Sequence, residues 1–425
     1  MVGMDSRSRP RLRPVESILV PDPKRGRVLV LRDTHGVSES HAAIPAPLIG
    51  IVARFTGGST CEEIALDVSR EMHESVPVEL VVNLAEQLEQ GLFLDGPAFQ
   101  AARARVEREF AEADVRPASH AGGAYHGERS ALAKYIDETC LGRAGHSGTV
   151  ASELPRAAND VGQMMALVAP HIDPWRGALG YGHAYGALAG ALPEEADTFV
   201  LFGTSHAPMR EPFALCRKAF ATPLGAVPAD AEALDSLADC AEQFDPYADQ
   251  FNHKREHSLE FQVVFLKHLL KGRPFRIVPV LAGLGAHQSS GDDPARDRRV
   301  SRFLSGVRDL FESRPGRVVV VAGADMAHVG PRFGDARAYD AEARSTLEQA
   351  DRTSLDRAVA VEPAAFWSHV VADLDERRVC GLAPIWSLLH SIRGTGARGR
   401  VLHYEQTVDA EDGSIVSHAA LGFYA

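Results

Sequence analysis

Three apolar runs in this sequence each end in residues able to hold a metal ion or move a proton. MMALVAP leads into His171-Ile172-Asp173, TFVLFG into Thr204-Ser205-His206, and RVVVVAGA into Asp325-Met326-Ala327-His328. A fourth run, RIVPVLAG, leads into Leu284-Gly285. Short, β-branched apolar runs of this kind read as buried strands. In open α/β sheets ligands bind in the crevice outside the carboxyl ends of the strands. Three strands would therefore deliver the imidazoles of His171, His206 and His328 to one edge, with Asp173, Ser205 and Asp325 beside them. A single histidine after a strand is ordinarily a loop residue. Three in the same topological place point to a site.

Cys380 lies in RRVCGLAPIWSLLHSI. Leu382, Ile385, Leu388, Leu389 and Ile392 recur at helical spacing, and Pro384 suits a first turn. Cys380 should then sit at or just before a helix N-terminus, where the helix dipole and free N–H groups favour a thiolate. That position points to reactivity or metal ligation rather than inert packing. The stretch REHSLEFQVVFLKHLL predicts a further helix. Ser258 is its expected N-cap, and Leu259, Val263, Leu266 and Leu270 form its buried face. Glu256 and His257 would stand at the helix mouth. Glu260, one turn inside, is either an exposed first-turn acid or an acid directed into the crevice.

The elements needed to position these groups follow from the same patterns. Strands are expected at 164–169, 198–202, 276–281, 317–321 and 400–404, and helices at 184–192, 258–270, 300–312, 338–350 and 382–392. Alternating strands and helices imply a layered α/β domain with a central mixed, largely parallel sheet. It should occupy residues 118–425, after a flexible boundary at 118–123. Upstream, residues 14–100 read as a separate, mainly helical accessory module. Within it, 27–31 is a strand, 46–55 is helical, and Gly57-Gly58-Ser59-Thr60 opens a helix carrying Ile64, Val68 and Met72. Another helix after Pro77 places Val81, Leu84, Leu88 and Leu92 on one face. Residues 101–117 read as a linker helix. Arg7, Arg9, Arg11, Arg13, Lys24, Arg25 and Arg27 crowd the start, and residues 1–13 are expected to be a mobile, solvated basic terminus.

Composition narrows the function. The chain has 425 residues, too long for one ordinary core, with 45% hydrophobic and 24% charged residues. Its net charge of −12 argues against nucleic acid as a partner. Five scattered cysteines without a C-x-x-C pair fit a reducing compartment and not a disulfide framework or a structural zinc site. No apolar run has signal-peptide or membrane-spanning character, so a cytoplasmic protein with no membrane contact is expected. Gly180, Gly182 and Gly186 do not keep dinucleotide spacing, and GTSHA lacks the second glycine of a serine-hydrolase elbow. His253, His268 and His390 read as surface residues.

Five segments in order, APHIDPWRGALGYGHAYGAL, FGTSHAPM, EHSLEFQVVFLKHL, AGADMAHVG and VCGLAPIWSLL, resemble the motif set of the Memo family. AGGAY at 121–125 resembles that family's opening motif, usually written A-G-x-F/W-Y. The N-terminal extension is similar to that of AmmeMemoRadiSam system protein B. The strand-then-three-helix module ending in GLFLDG resembles PqqD-like winged-helix domains, which bind leader peptides or partner proteins beside radical-SAM enzymes. The resemblance implies a fold related to LigB-like class III extradiol dioxygenases, whose iron is non-haem. It implies metal ligands at His171, His206 and Cys380, and a catalytic pair at Asp325 and His328. Asp173, Ser205, Glu256, His257 and Glu260 would form the pocket around them. Two neutral imidazoles and a thiolate suit iron or copper, with zinc as a third option. Ala324 replaces a residue often polar in the family. PHIDPWRG differs from the shorter PHAGYxYSG of the animal members and should reshape the pocket rim.

Two functions follow as expectations. One is a metal-dependent redox enzyme acting on a small molecule or a peptide group. The other is a non-catalytic partner in a radical-SAM system, working with the radical-SAM protein and an AMMECR-type protein. A winged-helix DNA-binding regulator would need a basic recognition helix, and Asp67, Glu71 and Glu74 make the best available helix acidic.

Overall fold

Residues 3–22, 26–34, 36–38, 40–146 and 162–425 are described by the computed structural model. They divide into two units, Met1–Glu112 and Ala113–Ala425.

In the first unit an antiparallel sheet of β1 (Glu16–Asp22), β2 (Gly26–Arg32) and β3 (Ala42–Pro45) precedes four helices. These are α1 (Ala46–Val52), α2 (Cys61–Met72), α3 (Val78–Gln90) and α4 (Pro97–Glu112). Thr60 and Glu63 form a reciprocal capping box at the start of α2, which satisfies two of the free N–H groups there. Ile64, Val68, Val81, Leu84 and Leu88 meet in one core with Leu31, Ile44 and Phe93. Residues 3–13 do not form a loose basic tail. Leu12 N–H donates to Phe55 O at 2.7 Å, and Arg13 N–H to Phe93 O at 3.1 Å. The Arg13 guanidinium is buried 3.1 Å from Asp33 and lies over the Phe99 ring. A paired arginine covered by aromatic rings loses its reason to stay in water. Lys24 and Arg25 of the expected basic cluster lie outside the described residues.

The second unit begins with β4 (Val115–Arg116) and α5 (Arg129–Tyr135). Its core is an eight-stranded sheet. Four parallel strands form the centre, in the order β5 (Met164–Ala169), β10 (Val318–Gly323), β6 (Thr198–Thr204), β9 (Arg276–Ala282). Antiparallel strands complete it: β7 (Phe213–Leu215) beside β9, and β13 (Ile415–Tyr424) beside β5. β13 also pairs with β11 (Asp325–Val329) and β12 (Arg398–Val408). A short β8 (Ala219–Phe220) pairs with β4. Around the sheet lie α6 (Ala178–Ala191), α7 (Ala231–Asp239), α8 (His257–Leu269), α9 (Gly285–Ser290), α10 (Arg298–Ser313), α11 (Ala341–Val359), α12 (Pro363–Val371) and α13 (Leu382–Ile392). The central strands are buried along their length, as expected for parallel strands covered on both faces.

Two features bring the site together. The parallel strands β5, β6 and β10 all end at the same edge, in register Val168–Ala322–Phe202. The start of α8 crosses that edge closely: a Cβ on Gly323 would lie 2.1 Å from Ser258 O. Only glycine fits there. Gln262 of α8 then reaches across to Pro170 O at 2.9 Å, and Tyr185 of α6 holds the Gln262 amide oxygen at 2.7 Å.

Candidate metal centre

His171 follows β5 by two residues, His206 follows β6 by two residues, and His257 is the first residue of α8. One nitrogen from each of these three imidazoles lies within 4.8 Å of the other two, close enough to hold a metal ion between them. His171 is buried, His257 half-buried and His206 open to solvent. The ring centroids of His171 and His206 are 5.2 Å apart.

The environment fixes which nitrogen each ring offers. His171 Nδ1 is 2.9 Å from Gly323 O and can only donate there, so Nε2 keeps its lone pair. His206 Nδ1 lies 3.0 Å from the Glu256 carboxylate, and the His206 N–H donates to the same group at 2.9 Å. Glu256, not Ser258, caps α8: its carboxylate accepts from Ser258 N–H at 2.9 Å. Burial alone would raise the Glu256 pKa. The His206 charge and hydrogen bonds outweigh it and hold the carboxyl well below its usual range. An ionised carboxylate behind a ligand imidazole orients the ring and raises its basicity.

Cys380 stands just before α13, as its sequence predicts, with Gly381 as the N-cap. Its Sγ is 3.2 Å from His171 Nε2. Cys380 is not one of the mutually close trio, yet it is a fourth donor at the same opening. The pull of the helix start toward a thiolate is opposed at this position. Burial, with Asp325 and Glu256 nearby, pushes the thiol pKa well up. Asp325 Oδ1 accepts the His171 N–H at 2.9 Å, and Oδ2 lies 3.7 Å from His171 Nε2. Burial would raise the Asp325 pKa, but His171, His418 and His328 lower it overall. His328 lies outside the trio. Its Nδ1 is 3.3 Å from Met326 O, and burial pushes its pKa down to about 4, so it is neutral at pH 7.

The remaining expected pocket residues are placed differently. Asp173 pairs with Arg176, at 2.5 Å from its Nε, and turns the loop after His171. The Ser205 hydroxyl donates to Ala207 O at 2.7 Å and shapes its own turn. Glu260 is neither exposed nor free in the crevice. It is fully buried and takes the Arg116 guanidinium, the N–H groups of Ser119 and His120, and the Tyr125 hydroxyl. Burial would raise its pKa, but Arg116 leads a set of partners that brings it down to about 2. Glu260 therefore ties the segment 116–125 to α8. That segment carries His120, which sequence reasoning passed over; its ring centroid is 5.6 Å from that of His257. The signal was a histidine directly before the AGGAY motif. His253, His268 and His390 are buried, not on the surface. A cavity of about 380 Å³ opens beside Cys380, lined by Ala207, Met209, Leu284, His287 and Arg299 among others. It lies in the size range of small-molecule sites.

Residues 116–422 match the Memo-like protein family, and the chain belongs to that family. A MEMO1 family protein of Thermus thermophilus is 30% identical over 371 residues, covering 86% of this chain and 99% of its own. One from Aquifex aeolicus is 24% identical over 400 residues, covering 94% of this chain and 96% of its own. One from Methanosarcina mazei is 25% identical over 262 residues, covering 61% of this chain and 85% of its own. An alignment covering 94% of the chain must include most of the first unit, so the similarity to the Aquifex protein is not confined to the second. Among the described residues no helix is long and apolar enough to cross a membrane.

Proposed function

We propose that the protein is a metal-dependent redox enzyme of the Memo type, with the ion held by His171, His206 and Cys380. A metal lies in the plane of each imidazole that binds it. The His206 and His257 rings are stacked, 4.4 Å apart and inclined by 23°, a less favourable arrangement for joint ligation than rings that point at one ion. His206 has the Glu256 carboxylate at hydrogen-bond distance behind it, and His257 lies farther from it, with Nδ1 3.6 Å from Oε1. Cys380, the ligand that the family resemblance implies, stands at the same opening and is taken as the third donor. Metal–nitrogen and metal–sulfur bonds of 2.0–2.1 and 2.3 Å at a tetrahedral angle separate N and S by about 3.5 Å. The observed 3.2 Å between His171 Nε2 and Cys380 Sγ is near that value and carries the assignment.

Iron or copper fits this donor set best, with zinc as the alternative. A bound ion would supply Lewis acidity or one-electron chemistry. The chain's own groups do the rest. Glu256 and Gly323 O hold the imidazoles in one tautomer. Asp325 fixes the His171 backbone. Neutral His328 and His257 are available to accept a proton, and the cavity beside Cys380 takes a small molecule or a peptide group. The reading extends to a LigB-like layering of the second unit and to a cytoplasmic radical-SAM system of the AmmeMemoRadiSam type. There the first unit, as a PqqD-like winged-helix module, would capture a peptide or the radical-SAM protein, alongside an AMMECR-type protein. The strand-and-helix order of that unit and its presence within the Aquifex alignment support this extension.

The test is metal content by mass spectrometry after reconstitution with Fe(II), Cu(II) or Zn(II). About one ion per chain is expected. Failure to take up any of the three would overturn the enzyme reading and favour the non-catalytic partner.

A further inference from the structure

We propose that Arg377, anchored on Asp351, is a positioning residue that sets the places of Cys380 and His328 together; the inference rests on the metal reading above. Asp351 lies on α11 and is fully buried. Its carboxylate accepts from Arg377 Nη1 at 2.6 Å, Ser417 Oγ at 2.5 Å and Tyr404 OH at 3.0 Å. Arg377 Nη2 adds Ser354 Oγ at 3.1 Å. Four elements, α11, β12, β13 and the loop before Cys380, thus meet on one carboxylate. The Arg377 main chain faces the other way and accepts the His328 N–H at 2.8 Å. The next residue returns the contact: Arg378 Nε donates to His328 O at 2.8 Å. Ser417, held by Asp351, accepts the Ala327 N–H at 2.9 Å. The strand bearing His328 and the loop bearing Cys380 are therefore fastened to the same anchor.

The loop needs such an anchor. Leu374, Asp375 and Arg378 all have positive φ, at 59°, 55° and 52°. Side chains adopt this left-handed region only when their surroundings enforce it. Past the loop, Gly381 N–H donates to Asp325 O at 3.0 Å. A Cβ on Gly381 would lie 2.2 Å from that oxygen. The approach that brings Cys380 Sγ to 3.2 Å from His171 Nε2 has no slack. With Arg377 released, the loop can relax toward ordinary dihedral angles, and both Cys380 and the His328 backbone move.

The experiment compares Arg377→Gln with wild type, using Co(II) as the probe. A control, Arg314→Gln, breaks a comparable ion pair, Arg314 to Asp230 at 2.8 Å, away from the site. In Arg377→Gln, Co(II) affinity should fall roughly ten- to a hundredfold, as losses behind a ligand do, and the thiolate-to-cobalt absorption should weaken or shift. Amide exchange of residues 325–330 in metal-free protein should speed up. Arg314→Gln should lose thermal stability with the Co(II) signal unchanged. If Arg377→Gln does not fold, Arg377→Lys replaces it under the same criteria. A folded Arg377 variant with wild-type affinity, absorption and exchange overturns the proposal. A wild type that binds no Co(II) overturns the metal reading, and the exchange comparison still decides whether Arg377 holds the His328 strand.

Discussion

His171 at the crevice and three histidines in the body of the second unit differ in what surrounds them, not in how deeply they lie. His171 at the crevice and His253, His268 and His390 in the body of the unit are all buried, and burial lowers the pKa of each. In the crevice, Nδ1 of His171 and of His206 has an acceptor, and Nε2 of His171 meets the Cys380 sulfur. In the body, Nδ1 of His253 and His268 and both ring nitrogens of His390 have no hydrogen-bond partner among the described residues. Their neighbours are apolar or single acceptors: Ala214 O for His253, Asp137 for His268, the Trp386 ring for His390. Burial makes a histidine neutral. Convergence, with the other nitrogen tied, makes it a ligand.

The largest expected effect breaks the crevice set. His171→Ala or His206→Ala should abolish tight metal binding with the far-ultraviolet circular dichroism intact, because both residues sit at strand ends. His268→Ala and His390→Ala should bind metal like wild type but lose thermal stability. Metal titration of the four variants checks this, and loss of metal in either body variant would erase the distinction. Cys380→Ser comes next. It keeps the volume and replaces a soft donor with a poorly ionised hydroxyl, so copper should be lost more completely than zinc. Unchanged copper affinity would remove the thiolate and return His257 to the ligand set. Glu256→Gln should be milder. It keeps an acceptor behind His206 but removes the charge, and affinity should fall roughly ten- to a hundredfold. His328→Ala should fall in the same range or below it, and complete metal loss there would make His328 a ligand.

The contrast also marks what the sequence makes legible. Strand ends are readable because a buried parallel strand is a continuous apolar run and the next polar residue must lie at its edge. His171 and His206 are read that way and Cys380 from the helix that follows it, and α13 begins and ends where its spacing predicts. β13 was missed, although all ten of its residues are buried, because Ser417, His418 and Gly422 interrupt its apolar run. The body histidines were misplaced for the same reason in reverse. A polar residue in a helix reads as exposed, and nothing local says that α8 and α13 are covered on every side. Glu260 was misread because its partners, Arg116, Ser119, His120 and Tyr125, are more than a hundred residues away in sequence. The closeness of His257 to His171 and His206 was not read at all, because it depends on where α8 crosses the sheet edge, which no spacing encodes.

The smallest effect sharpens the comparison from the body side. His253 is fully buried and its pKa is pushed down to about 4 by burial, against 6.5 for a free side chain. Above pH 6.5 the ring is neutral whether the chain is folded or not, and its titration adds nothing to stability. Between 6.5 and 4 the unfolded chain holds a proton that the folded chain does not, so stability falls as the pH drops through this window. By linkage, a shift of this size costs about 1 kcal/mol at pH 5.5 relative to pH 7. His253→Gln keeps an N–H that can reach Ala214 O but cannot titrate. The variant should be somewhat less stable than wild type at pH 7, because its fit is poorer, yet lose less on acidification. Urea unfolding at both pH values measures the difference of differences, in which the other titrating groups cancel. Equal acid sensitivity in the two proteins would show that His253 picks up its proton without unfolding, through water reaching its free Nδ1. The body set would then be no drier than the crevice, and burial would not be what His253 shares with His171.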